Sequence, residues 1–115
     1  MSDKNSVLKK VNEIVSSKFG ITPIELTSKC RKQNYVFARM VLACVCNKKY
    51  RITQKDIAAY LKVKQPMISQ YLSCAAFELK TNEFFRRKFD EVNLRIKRTE
   101  EIKYEKEERD KIILK

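Results

Sequence analysis

Residues 54–73, QKDIAAYLKVKQPMISQYLS, constrain the fold more than any other stretch of this 115-residue chain. Ile57, Ala58 and Leu61 recur at i, i+1, i+4, the stripe one face of a short helix presents to a core. A second stripe follows in Ile68, Tyr71 and Leu72. Between them, Lys62-Val63-Lys64 leaves room only for a tight turn, with Val63 placed to plug the base of the angle. Ala58 is small enough to let two helices approach where they cross. Thr53 followed by Asp56 resembles a capping box, with Asp in place of the usual Glu or Gln, and starts the first helix. Pro66 fits the first turn of the second, where a missing N–H costs nothing. The backbone after the first helix is expected to be left-handed, a position that usually takes Gly. Lys62 stands there, at a cost of roughly 1 kcal/mol.

Two helices joined this way form a helix-turn-helix, whose second helix enters the major groove of DNA. That recognition helix is expected over about residues 65–80. Its outward residues, Lys64, Gln65, Met67, Ser69, Gln70 and Ser73, with Pro66 in the same turn, are the candidate base readers. Gln can pair bidentately with adenine, Ser can read several bases, and Lys can reach guanine or phosphate. The formal charge of +12 fits a polyanionic partner. The surplus is uneven, +10 over residues 1–80 and +2 over residues 81–115. Three basic clusters in the first part, Lys29, Arg31 and Lys32, then Lys48, Lys49 and Arg51, then Lys55 and Lys62, are the candidate phosphate contacts.

One Gly and two Pro leave little room for β-turns, so an all-α fold of about six helices is expected. The length suits one domain with an appendage. There is no run of 18 apolar residues to span a membrane. The N-terminal MSDKNSVLKK has no apolar signal-peptide core, so the expected location is the cytosol, at the nucleoid if DNA is the partner. The four cysteines, at 30, 44, 46 and 74, come without any His and without a C-x-x-C pair. Buried thiols are therefore expected, and no metal or cofactor.

Elsewhere, Val7, Leu8, Val11, Ile14 and Val15 predict a first helix over about residues 6–18, which Gly20 is placed to terminate. Thr22-Pro23-Ile24-Glu25 is a capping box with Pro at the first helical position, opening a short helix through about Thr27. A third helix is expected from about Asn34 to Cys46, burying Phe37, Met40, Val41, Cys44 and Val45. Thr81 or Asn82 caps a last helix carrying Phe84, Phe85, Phe89, Val92 and Ile96. From about Lys97 the chain becomes charge-dense, so residues 1–96 are expected to form the binding domain and residues 97–115 a helical extension. Glu105 with Arg109 and Glu107 with Lys111 are i, i+4 pairs in the favourable order. Ile102 and Ile112-Ile113-Leu114 offer contacts for a partner protein or a second copy, although a sustained heptad is absent.

The order VNEIVSSKFGITPIELTSKCRK, then Ala38-Arg39-Met40-Val41-Leu42-Ala43, then Asp56-Ile57-Ala58, then FFRRKFDEVNLRIK, resembles the C-terminal DNA-binding domain of the bacterial replication initiator DnaA. That domain is a Trp-repressor-like helical bundle, and the resemblance covers roughly residues 7–97. It implies that Lys29, Arg31 and Lys32 form the basic loop set against phosphate and the adjacent minor groove. It also implies that Arg39 is the buried-side Arg of the long helix. The family's Arg-Asp-His-Thr-Thr signature is replaced here by Lys64-Gln65-Pro66-Met67-Ile68, in a turn one residue shorter. That stretch is similar instead to phage-repressor-type regulators, "VxQPxISxYL". These residues hold no G-x-x-x-x-G-K-[ST] phosphate loop, so no ATPase activity is expected of them.

The function expected from these features is sequence-specific binding of double-stranded DNA by a stand-alone initiator-like or transcription-regulator-like protein. The competing expectation is a protein-interaction module of a replication or transcription complex that uses the charged C-terminal helix. An enzyme is disfavoured by the lack of His, metal spacing and phosphate loop. Tyr60 and Tyr71 lack the Arg/His constellation a tyrosine nucleophile needs.

Overall fold

The computed structural model describes residues 4–113, with side chains through Thr99. Among the described residues the fold is all-α: α1 (Lys4–Phe19), α2 (Pro23–Leu26), α3 (Gln33–Lys48), α4 (Gln54–Leu61), α5 (Gln65–Thr81) and α6 (Glu83–Ile113). The boundaries follow local chemistry. Gly20 takes φ 70°, and Ile21 N–H reaches back to Ser16 O at 3.0 Å, closing α1. Thr22 and Glu25 make both bonds of the capping box that starts α2.

The third helix is the axis of the bundle. The expected buried face of five residues is in fact an unbroken run from Phe37 to Cys46. A helix buried all round must be packed on every side, and α3 touches α1, α2, α4, α5 and α6. Phe37 meets Phe85 of α6 edge to face, with ring centroids 5.1 Å apart. Arg39 is the one charged side chain within the run, and it is 5% exposed. Its Nε donates to Leu26 O at 2.8 Å and its Nη2 to Ser28 O, so the buried guanidinium is hydrogen-bonded to backbone.

One residue joins the last two helices. Asn82 N–H donates to Glu78 O at 2.8 Å, ending α5, and its Oδ1 accepts Phe85 N–H at 3.2 Å, capping α6. Arg86 then returns to the last carbonyls of α5, Nε to Leu79 O at 3.0 Å. Along α6, Phe85, Val92 and Ile96 are buried, Phe89 is half-buried and Phe84 is exposed. Ile96 is the last buried residue among those described. The helical backbone continues through residue 97 without a break to Ile113. The expected pairs Glu105–Arg109 and Glu107–Lys111, and the apolar contacts of Ile102 and Ile112–Leu114, lie outside the described side chains.

Candidate nucleic-acid interface

The turn between α4 and α5 has the geometry the sequence demands. Lys62 is left-handed, at φ 60° and ψ 40°. Its N–H is directed at the Ala58 and Ala59 carbonyls, and Val63 N–H donates to Ala58 O at 3.0 Å. This is the closure a glycine would normally make, achieved by a lysine that keeps its cation on the turn. Val63 packs half-buried against the core, and Lys64 is extended at the start of α5.

Burial fixes how α5 faces outward. Ile68 is fully buried, and Tyr71 and Ala75 are buried beside it. Each large apolar side chain removed from water stabilises this orientation by about 1.5–3 kcal/mol. At 100° per residue, Pro66, Ser69, Gln70, Ser73 and Phe77 then fall within an arc about 100° wide on the opposite face. Gln65 and Met67 stand on its two shoulders. Every candidate base reader, Lys64, Gln65, Pro66, Met67, Ser69, Gln70 and Ser73, is exposed. Phe77, 63% exposed, lies on the same line and was not among the residues expected there. The signal was available, because Phe77 follows Ser73 by one turn. Between Lys64 and Glu78 the helix carries no charged side chain at all.

Two anchors hold the motif on the bundle. Thr53 Oγ1 accepts Asp56 N–H at 3.2 Å to start α4, and Lys4 Nζ of α1 donates to Asp56 Oδ2 at 3.0 Å. The Lys4 ammonium, with Thr53, holds the Asp56 carboxyl below its ordinary range. At the other end of α4, Tyr60 Oη accepts from Asn12 Nδ2 at 2.8 Å, and the same nitrogen donates to Pro23 O at 3.1 Å. Asn12 Oδ1 accepts from Ser16 Oγ at 2.7 Å. A single buried amide thus ties the end of the first motif helix to the start of α2. Tyr60 and Tyr71 both have structural positions here, one in this bond and one in the core.

The basic clusters sit on connections. Lys29, Arg31 and Lys32 are exposed in the α2–α3 loop. Arg39 holds the first part of that loop from within the bundle, and Tyr35 Oη donates to Glu25 Oε2 at 2.7 Å beside it. That bond, with those from Thr22, keeps the Glu25 carboxyl low, and the bond to Glu25 pushes the Tyr35 phenol up. Lys48, Lys49 and Arg51 are exposed in and just before the α3–α4 connection. Arg51 is left-handed at φ 55°, which the sequence did not announce. Asn47 Nδ2 donates to Ile52 O at 3.0 Å, and Ile52 N–H to Cys46 O at 3.0 Å, seating Ile52 in the core. The two connections leave opposite ends of α3, about 22 Å apart at 1.5 Å per residue. Lys55 and Lys62, both exposed, mark the two ends of α4.

Cys44 and Cys46 are buried in α3, and burial raises both thiols, Cys46 to about 12, so they stay protonated. The expectation of buried thiols fails for the other two, because Cys30 is half-buried in the α2–α3 loop and Cys74 is exposed on α5, off its Ile68–Tyr71–Ala75 stripe. Among the described residues no group of His, Cys, Asp and Glu could hold a metal ion, and no helix is long and apolar enough to cross a membrane.

Five helices around a buried α3, with a helix-turn-helix displaying a polar face, define an all-α helix-turn-helix DNA-binding domain. The family described as bacterial dnaA protein helix-turn-helix matches residues 8–70. The match covers more than half of the chain, and the chain belongs to this family. It ends inside α5 at Gln70, so the likeness expected of the closing helix lies beyond the matched residues. No curated protein and no solved structure matches the chain.

Proposed function

We propose that this chain binds double-stranded DNA sequence-specifically, with α5 in the major groove and the basic connections on phosphate. The observation that carries the reading is the face of α5 opposite Ile68 and Tyr71, where Ser69, Gln70 and Ser73 stand exposed without a structural duty, with Gln65 exposed on its shoulder. Lys64, Gln65, Pro66, Met67, Ser69, Gln70 and Ser73 read base edges. Lys29, Arg31, Lys32, Lys48, Lys49, Arg51, Lys55 and Lys62 contact phosphate or the adjacent minor groove. Because α5 is neutral between its flanking lysines and Glu78, affinity comes from the flanks and sequence discrimination from the helix. Residues 1–96 form the binding domain and residues 97–115 an appended helical arm. The protein acts by binding rather than catalysis, in the bacterial cytoplasm at the nucleoid, as an initiator-like or transcription-regulator-like protein.

Selection of duplexes from a random library by the purified chain, followed by mobility shift at two salt concentrations, tests the reading. Enrichment of one motif supports it. No retention of any duplex even at ~50 mM salt, where phosphate contacts are strongest, sinks it.

A second reading, contact of the arm with a partner protein or a second copy, is supported by the helical backbone of α6. It continues for 17 residues past Ile96, about 25 Å. Light scattering across a concentration series separates a self-associating arm from a monomer.

A further inference from the structure

We infer that α5 reads an A·T-rich site in which Met67 packs against the 5-methyl group of a thymine. The inference rests on the proposed DNA-binding role of α5 and names the bases it selects. It follows from what the groove-facing chemistry contains and what it lacks. The commonest specific contact to guanine is a bidentate Arg on O6 and N7, and no arginine occurs between Arg51 and Arg86. The side chains that single out cytosine by its N4 donor are carboxylates, and none occurs between Asp56 and Glu78. Lys64, at the start of the helix, is the one cation among the base readers that can reach a guanine, which leaves room for one G·C pair at the edge of the site, and the Ser69 and Ser73 hydroxyls favour no base.

What remains favours adenine and thymine. Gln65 and Gln70 are exposed and each presents the paired donor and acceptor that match adenine N7 and N6. Met67 is 40% exposed, although Ile68 beside it is fully buried. The core-facing stripe of α5 is complete without it. A flexible, polarizable thioether on the shoulder of a groove-facing helix has one apolar group to meet in B-DNA, the methyl that distinguishes thymine from cytosine and uracil. Pro66 adds apolar surface beside it in the first turn, where its ring is also exposed.

The test begins with duplexes enriched by the full chain from a random-core library. The leading duplex is remade with deoxyuridine replacing each thymine in turn, which removes one methyl and leaves every hydrogen-bonding group in place. The expected result is an A·T-rich core and one thymine whose replacement weakens binding about fourfold, the worth of one methyl withdrawn from water. Met67→Ala should fold normally, since the side chain is exposed and Ala favours helix. It should bind thymine and deoxyuridine duplexes equally while keeping the preference for A·T pairs. An enriched core rich in G·C, or equal wild-type binding to every deoxyuridine duplex, overturns the inference and leaves the DNA-binding reading intact. Retention of no duplex overturns both. A wild-type discrimination that survives Met67→Ala removes Met67 as the reader.

Discussion

Asn12 and Tyr60, 48 residues apart, share a hydrogen bond of 2.8 Å that fastens the first motif helix to α1. Asn12 is 1% exposed, and its amide also serves Pro23 O and Ser16 Oγ. Removing it strands several buried or half-buried polar groups at once, each costing about 1–3 kcal/mol when unsatisfied. Asn12→Ala is therefore expected to lower stability by about 2–4 kcal/mol in urea unfolding. Tyr60→Phe, which deletes one acceptor, should cost about 1 kcal/mol. Neither residue faces outward from α5, so Tyr60→Phe should keep DNA affinity at temperatures where it is folded. A tenfold loss of affinity in folded Tyr60→Phe would show that the anchor positions the recognition helix as well as stabilising the bundle.

Lys62 sets stability against affinity. Its left-handed backbone costs roughly 1 kcal/mol more than glycine would there. Lys62→Gly is thus expected to raise the unfolding free energy by about 0.5–1 kcal/mol. The same change deletes a cation assigned to phosphate, so the slope of log affinity against log salt should shrink by about 0.9. Equilibrium unfolding and a salt series on one purified variant measure both effects. A more stable variant with an unchanged salt slope would take Lys62 off the phosphate backbone.

The carboxylate of Glu25 links the fold to pH. Tyr35, then Thr22, hold its carboxyl below the ordinary value in the folded state. A depressed carboxyl contributes stability that is present above the unfolded value and is lost as pH falls through the folded one. Asp56, held low first by Lys4, acts with the same sign. The melting temperature is expected to drop in acid, below the ordinary carboxylate range, and Glu25→Gln should flatten part of that drop while keeping a competent capping residue. Tyr35 carries the opposite sign: its raised phenol contributes below the ordinary tyrosine value, and that contribution is lost as pH rises through the folded one. Melting curves of wild type, Glu25→Gln and Tyr35→Phe from pH 3 to 6 check the acid limb.

What could be read from the chain alone was local. The αL turn at Lys62, the α1 stop at Gly20 and the Thr22–Glu25 box each depend on residues within one helical turn, and each stands where the spacing put it. The outward face of α5 was legible for the same reason, since the Ile68–Tyr71 stripe fixes it. The all-round burial of α3 from Phe37 to Cys46 was not, because a periodic stripe reports one packed side and cannot count the helices on the others. Asn12 could not be paired with Tyr60 from spacing, and a left-handed Arg51 carries no marker such as Gly or Asn. The separation of the two basic loops is likewise a property of α3 as a rod, invisible in a list of lysines.

Gln65 and Lys32 should fail in different ways. Gln65 is exposed at the start of α5, on the shoulder that faces base edges, whereas Lys32 is exposed in the loop held by Arg39. Loss of a bidentate base contact costs about 1–3 kcal/mol at one base pair and relaxes the preference there. Loss of a phosphate contact weakens all sequences alike and lowers the salt slope by about 0.9. Gln65→Ala is expected to equalise affinity for the four base pairs at one position of the selected site, with its salt slope unchanged. Lys32→Ala should keep the ranking of sites and lose slope. Binding of both variants to a panel of single-position duplexes at two salt concentrations separates the roles. Uniform weakening by both would mean that α5 lies along the backbone instead of in the groove.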